Sequence, residues 1–169
     1  MTRTRASGYH SGAMGILTAE RSIEIAAPRA ACWEIIADLE STPNWQQSMV
    51  RARILETDSE GRGTLVEITS DAKVREVTSK ISFAYEPETS MTWQQEKGDL
   101  KWMKGSWLLE EVSDAVTRAV YRLEADTGRV LGLLVKGPVA DKVKEMLTSD
   151  ATEGLKQWAE RQVGGSDRS

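Results

Sequence analysis

The sequence predicts an α+β fold in which a curved, seven-stranded antiparallel sheet wraps around one long C-terminal helix, with two short helices after the first strand. Three observations predict it. From Met49 to Ala125, strand-like segments alternate apolar and polar residues with period two. Short turn signals interrupt them at Gly61-Arg62-Gly63, Glu86-Pro87, Gly98-Asp99 and Ser113-Asp114, and consecutive strands joined so briefly pair as an antiparallel meander. From Pro138 onward the period changes, and apolar residues recur at helical spacing.

The first strand is read at Glu20 to Ala26, with Ile23 and Ile25 alternating against Ser22 and Glu24. Pro28 opens a helix, because a missing N–H is harmless in the first turn, and Cys32, Ile35, Ile36 and Leu39 form its buried stripe. Thr42-Pro43 reads as the cap and first residue of a second short helix carrying Trp45. Six strands follow: Met49 to Thr57, Gly63 to Ser70, Val74 to Tyr85, Ser90 to Glu96, Trp102 to Glu111 and Val116 to Ala125. Parity assigns Val77, Ser79, Ile81, Phe83 and Tyr85 to one face of their strand, with Glu76, Thr78, Lys80 and Ser82 opposite. Likewise Met103, Gly105, Trp107 and Leu109 oppose Lys104, Ser106 and Glu110, and Ala119, Tyr121, Leu123 and Ala125 oppose Arg118, Arg122 and Glu124. A sheet with one apolar face needs a cover. Val139, Val143, Met146, Leu147, Ala151, Leu155 and Trp158 supply it on a helix reaching about Gln162, with Lys142, Lys144, Glu145, Glu153, Lys156 and Glu160 toward solvent. Gly154 inside that helix is either a weak point, costing about 1 kcal/mol against Ala, or a place of close approach.

The chain has 169 residues, 40% hydrophobic and 28% charged, which suits one globular domain with a sizeable core. Residues 1–18 and 164–169 read as polar, flexible tails around a domain at 19–163. The net charge of −4, without a Lys/Arg run, argues against a nucleic-acid partner. Cys32 is the single cysteine, so no intrachain disulfide forms, as expected in a reducing compartment. No apolar run approaches the roughly 20 residues of a membrane span, so no stable membrane insertion is expected. Arg3 and Arg5 precede no apolar region, so no secretory signal is read and a cytoplasmic location is expected.

The order of elements carries particular landmarks. Ile25-Ala26-Ala27-Pro28 opens the first helix, and Ile36-Ala37-Asp38 is followed by Pro43-Asn44-Trp45. Later come Gly98-Asp99-Leu100-Lys101, Gly105-Ser106-Trp107 and Thr117-Arg118-Ala119-Val120-Tyr121. In their order and spacing, over Glu20 to Arg161, these resemble the START-like helix-grip (SRPBCC) superfamily, in its polyketide cyclase/dehydrase and coenzyme-Q-binding-like branch. The resemblance implies a deep cavity between the concave sheet and the long helix that takes sterols, lipids, quinones, polyketides or other hydrophobic small molecules. Some members add catalysis inside it, so the fold does not name the ligand.

Strand parity turns Ile54, Val66, Ile68, Val77, Ile81, Phe83, Met91, Trp93, Met103, Trp107, Leu109, Tyr121 and Leu123 toward that cavity. Val139, Val143, Met146 and Leu147 face it from the helix. As a group they suit a concave, mainly apolar ligand site, and equally a filled core. Six tryptophans against one phenylalanine is an unusual balance. Trp93 and Trp107 point inward as a possible aromatic wall, Trp102 falls on the opposite face, and Trp33, Trp45 and Trp158 read as structural. Gly105 either opens volume beside Trp107 or bends the sheet. Ser79, Tyr85, Gln95 and Tyr121 are the polar groups placed to orient a ligand. Val130 to Pro138, with glycines at 132 and 137, is either a lid or a fixed crossover.

Catalytic residues are not assigned. His10 is the only histidine and lies in the predicted tail, and Cys32 has no histidine partner. Metal-ligand and phosphate-loop motifs are absent, so neither a metal nor another cofactor is expected. The leading expectation is therefore a binder or carrier of a hydrophobic small molecule. The alternatives are a polyketide aromatase/cyclase or dehydratase using the same cavity, and a protein-interaction module with a filled core.

Overall fold

The computed structural model describes residues 16–71, 75–129 and 137–166. Strand β1 (Ile16–Ile25) leads into helix α1 (Arg29–Ala37) and a 3-10 helix (Leu39–Asn44). Six strands follow, β2 (Met49–Thr57), β3 (Gly63–Asp71), β4 (Glu76–Glu86), β5 (Ser90–Gly98), β6 (Trp102–Ser113) and β7 (Val116–Asp126), and then helix α2 (Pro138–Ser166). The strands form a seven-stranded sheet in the order β1-β7-β6-β5-β4-β3-β2, with antiparallel pairing throughout. Consecutive strands from β2 to β7 are neighbours, as their short turns require. The first strand instead joins β7, so α1 and the 3-10 helix carry the chain between the two edges of the sheet.

Local chemistry closes the turns. At the β2–β3 turn the Asp58 carboxylate accepts from the backbone N–H groups of Glu60 and Arg62, while Gly61 takes a left-handed φ of 79°. Register shifts interrupt the β2–β3, β4–β5 and β6–β7 ladders at Ile54/Glu56, Lys80/Ile81 and Glu111/Ser113. Such irregularities bend strands and increase local twist, helping a sheet curve around a helix.

Several expected boundaries move, among them the end of α2, which lies at Ser166 rather than about Gln162. The first strand begins at Ile16 rather than Glu20, because its whole length pairs with β7, from Ile16 opposite Asp126 to Ile25 opposite Thr117. The second short helix starts at Leu39, directly after α1, and ends before Trp45. Pro43 lies inside it, and the Thr42 side chain caps nothing. A 3-10 turn tolerates this proline because the run is so short.

Helix α2 lies along β1 and against α1. Its buried residues are Val143, Thr148, Ala151, Thr152, Leu155 and Ala159, so the buried face is turned from the expected one. Val139 is solvent-exposed, and Met146 and Trp158 are only partly buried. Thr148 and Thr152 tolerate burial because each hydroxyl donates to the carbonyl one turn back, at 2.8 and 2.7 Å. Small residues on this face let the backbone come close. Gly154 packs on Trp45, where an added β-carbon would stand 1.9 Å from the Trp45 carbonyl oxygen.

Polar clamps fix the same helix. Asp150 accepts the backbone N–H groups of Gln47 at 3.0 Å and Ser48 at 2.7 Å. Lys156 donates to the Glu24 carbonyl at 2.9 Å, and Glu160 accepts from the Ala26 N–H at 2.9 Å and from Lys156 at 2.6 Å. The buried Thr117 hydroxyl donates to the Ala27 carbonyl, securing the β1–α1 corner. Beneath it, Cys32 is fully buried, and burial pushes its thiol up despite a hydrogen bond with Thr117. It packs as a small hydrophobe, not as a nucleophile.

Two outcomes are expected. Gly154→Ala lowers stability by about 1–3 kcal/mol despite alanine's higher helix propensity, since the new carbon meets backbone that cannot step aside; thermal denaturation measures it. Hydrogen bonds from Lys156 and the Ala26 N–H hold the Glu160 carboxyl below its ordinary range. Its stabilising contribution is therefore complete above the unfolded carboxylate pKa and fades as pH falls through the lower folded value. Glu160→Gln is expected to cost up to about 1 kcal/mol near neutrality, given the partial exposure, and almost nothing near pH 3, as chemical denaturation at the two pH values would show.

Candidate functional site

Between the concave sheet face, the N-terminal half of α2 and the segment from Leu39 to Met49 lies a cavity of about 140 Å³. Alternation along four adjacent strands builds its wall. Strand β4 presents Val77, Ser79, Ile81 and Phe83, and β5 presents Met91 and Trp93. Met103 and Trp107 come from β6, and Tyr121, Leu123 and Ala125 from β7. Ile68 of β3, Leu17 of β1, and Val143 and Leu147 of α2 add to the apolar lining, with Ile36 of α1, Leu39 of the 3-10 helix and Leu100 between β5 and β6.

Aromatic rings form a continuous chain through this wall. Contacts run from Trp33 through Tyr85, Phe83, Trp93, Tyr121 and Trp107 to Trp45, with centroid separations of 4.8 to 6.5 Å. The edge-on and tilted geometries are those that ring quadrupoles favour. Gly105 belongs to this arrangement. It pairs with Trp93 across β5 and β6, and an added β-carbon would lie 2.4 Å from the Trp93 indole. The glycine thus accommodates a neighbouring ring. It neither lines the cavity beside Trp107 nor marks a register shift.

Twelve of the residues expected in the lining stand there: Ile68, Val77, Ile81, Phe83, Met91, Trp93, Met103, Trp107, Tyr121, Leu123, Val143 and Leu147. Five do not. Val66 and Leu109 are fully buried in the packed core, with Ile54 against it. They face inward as parity requires but belong to the packed core rather than to the cavity wall. Val139 and Met146 fall away because α2 is rotated, leaving Val143 and Leu147 as its contribution.

The polar groups redistribute more. Ser79 donates to the Gln95 side-chain oxygen at 2.8 Å, and Gln95 donates onward to the Leu100 carbonyl at 2.8 Å, so this pair is committed to holding the β5–β6 turn. Tyr85 lies outside the lining. Its hydroxyl donates to the Gly63 carbonyl at 2.6 Å, and burial first, then the Asp58 charge, pushes its pKa up to about 12. Tyr121 does line the cavity. Burial holds its pKa well above the ordinary phenol value despite a hydrogen bond with Gln46, so it remains a protonated hydroxyl at any ordinary pH.

The segment from Thr42 to Met49 is the part that sequence reasoning missed. Thr42, Trp45, Gln46, Ser48 and Met49 all line the cavity, as do Ser70 and Asp71 at the end of β3. Trp45, read as structural, is 5% exposed, and its indole Nε1–H finds no partner; the same holds for the Thr42 hydroxyl. Leaving a buried donor unpaired costs about 1–3 kcal/mol. The only sequence signal was the small polar cluster around a tryptophan at the exit of a short helix. The candidate lid at Val130 to Pro138 lies outside the described residues except for Gly137 and Pro138. Among the described residues no cluster of His, Cys, Asp and Glu could hold a metal ion, and no helix is long and apolar enough to cross a membrane.

A curved seven-stranded antiparallel sheet around a long C-terminal helix, with an apolar cavity between them, defines a START-like helix-grip protein. The chain belongs to the family described as polyketide cyclase / dehydrase and lipid transport, which matches residues 17–162. Solved structures with the same fold include a START superfamily protein from Mycobacterium smegmatis, at TM-score 0.76 and 16% identity over 86% of this chain and 98% of that one. The Zhui aromatase/cyclase from Streptomyces sp. R1128 superposes at TM-score 0.70 and 19% identity, over 88% and 96%. A conserved protein from Geobacillus kaustophilus does so at 0.71 and 14%, over 86% and 97%. At such identities the likeness is one of fold. No curated protein matches the sequence.

Gly105→Ala is expected to displace the Trp93 ring, weakening the near-ultraviolet circular dichroism of the aromatic chain and costing about 1–3 kcal/mol in thermal denaturation.

Proposed function

We propose that the chain binds or carries a hydrophobic small molecule, of the lipid, quinone or polyketide-like kind, in the cavity under α2. The observation that carries this reading is space walled mainly by apolar and aromatic side chains beside a packed core. Size narrows the ligand. An apolar cavity of roughly 150 Å³ accepts a molecule as large as benzene, so about 140 Å³ suits one aromatic ring or a short apolar segment. A multi-ring ligand or a full acyl chain requires the cavity to widen. Met49, Met91 and Met103 on its wall favour such adjustment, since an unbranched thioether repacks with little strain.

Catalysis on a polyketide-like substrate is the second reading, favoured by the Asp71 carboxylate and the Tyr121 hydroxyl on the cavity wall. It ranks second because Tyr121, held protonated by burial, can donate a hydrogen bond but is a poor general base. An interaction module with a filled core is the least supported reading. The exposed large apolar residues among those described, Ile16, Val50, Val112 and Val139, lie on four different elements, and Ile16 is the one in register with the half-buried Trp102, across β7.

Native mass spectrometry of the purified protein is expected to find a co-bound apolar molecule. A ligand at a hundred times its dissociation constant adds about 2.7 kcal/mol of stability, roughly 5–10 °C in Tm for a domain of this size. Trp107→Ala should weaken binding at least tenfold while Lys104→Ala leaves it unchanged, because only the former faces the cavity. Equal effects, or no Tm response to any apolar ligand, would sink the reading.

A further inference from the structure

We infer that the cavity recognises an uncharged, ring-bearing carbonyl compound through two donors, the indole Nε1–H of Trp45 and the hydroxyl of Thr42. This inference rests on the binding reading above and specifies its ligand. Both groups are buried, both residues line the cavity, and neither polar atom has a hydrogen-bond partner. The residues are 5% and 4% exposed, so bulk solvent does not serve them.

Local geometry places them together. The Trp45 N–H donates to the Thr42 carbonyl at 3.1 Å, which holds the two residues in one turn with Trp45 as its C-cap. A threonine in a helical turn commonly satisfies its hydroxyl on a preceding carbonyl, as Thr148 and Thr152 do. Thr42 does not. The neighbouring polar groups are already engaged: Gln46 bonds with Tyr121, and the N–H groups of Gln47 and Ser48 bond with Asp150.

The chemistry of the pair selects the ligand. An indole N–H can only donate, so the ligand atom facing it must be an acceptor. The threonine hydroxyl can donate as well, and a ketone oxygen has two lone pairs to receive both. Among the described residues no Lys or Arg lines the cavity, and Asp71 is the charged residue there. Burying a neutral carbonyl against two donors costs little, whereas burying a charged group costs far more. Beside the pair stand Trp107, 6.5 Å from the Trp45 ring, and Tyr121, 4.8 Å from the Trp107 ring; flat groups pack well on such faces.

Acetophenone and ethylbenzene test this directly, being nearly the same in shape and differing by the carbonyl. With the full chain, acetophenone is expected to shift the Trp45 indole N–H resonance downfield and ethylbenzene to leave it in place. Trp45→Phe should weaken acetophenone about tenfold and Thr42→Val severalfold, with ethylbenzene affinity changed less than twofold. Thr42→Val should also raise the Tm of the ligand-free protein, because it removes an unpaired buried hydroxyl; a hydroxyl with a structural role would give the opposite sign. If both probes bind and neither substitution touches acetophenone, the donor pair is not a recognition site, while the binding reading stands. If neither probe binds the unsubstituted chain, both fall.

Discussion

The contact on which the rest of the domain depends is the close approach of α2 to the chain leaving the 3-10 helix. Gly154 lies so near the Trp45 carbonyl that no side chain fits between them. One turn earlier, Asp150 accepts the next two free amides, from Gln47 and Ser48. A carboxylate taking two backbone N–H groups fixes orientation as well as distance. Together these contacts set where the helix sits over the sheet and where Trp45 enters the cavity. Moving either partner would move both the grip and the site.

From that point α2 does two different things along its length. Its C-terminal half is packed closely, with Ala151, Leu155 and Ala159 buried completely against the main core. Its N-terminal half touches the sheet more sparingly, with Val143 packed on Leu17 and Leu147 beside them. The cavity lies under this second half. A dense end supplies stability and a looser end leaves room. Such a division allows a small domain to keep an apolar hole, because the interactions lost around the hole are compensated by close packing elsewhere.

Polar groups around the cavity divide in the same way. Ser79 and Gln95 satisfy each other and a turn carbonyl, and Tyr85 satisfies a backbone carbonyl of β3. These hydrogen bonds serve the scaffold. Tyr121 is half committed, through Gln46, and its burial keeps it a neutral donor. Trp45 and Thr42 are left with nothing inside the protein to bond. In an interior where buried polar groups are nearly always paired, unpaired ones beside empty space are the features most directly tied to a ligand.

The order of elements, the parity of every strand from β4 to β7 and the presence of a covering helix are legible in the residues themselves. Each depends on periodicities of two and 3.6 that local residues carry in full. The sequence also placed most of the apolar wall, since residues such as Phe83, Trp93, Trp107 and Tyr121 alternate on strands whose inner face follows from their polar neighbours. It did not separate cavity from core: Leu109 shares a face with Trp107, yet one is packed over and the other borders open space. That distinction belongs to where α1 and α2 come to rest. The rotation of α2, which turns Val139 and Met146 away, follows from Gly154 against Trp45, a contact more than a hundred residues apart in the chain. The role of Gly105 likewise appears only when β5 lays Trp93 across it. The polar end of the site exists only in the packed domain, because whether Thr42 and Trp45 have partners depends on every element around them and not on their own spacing.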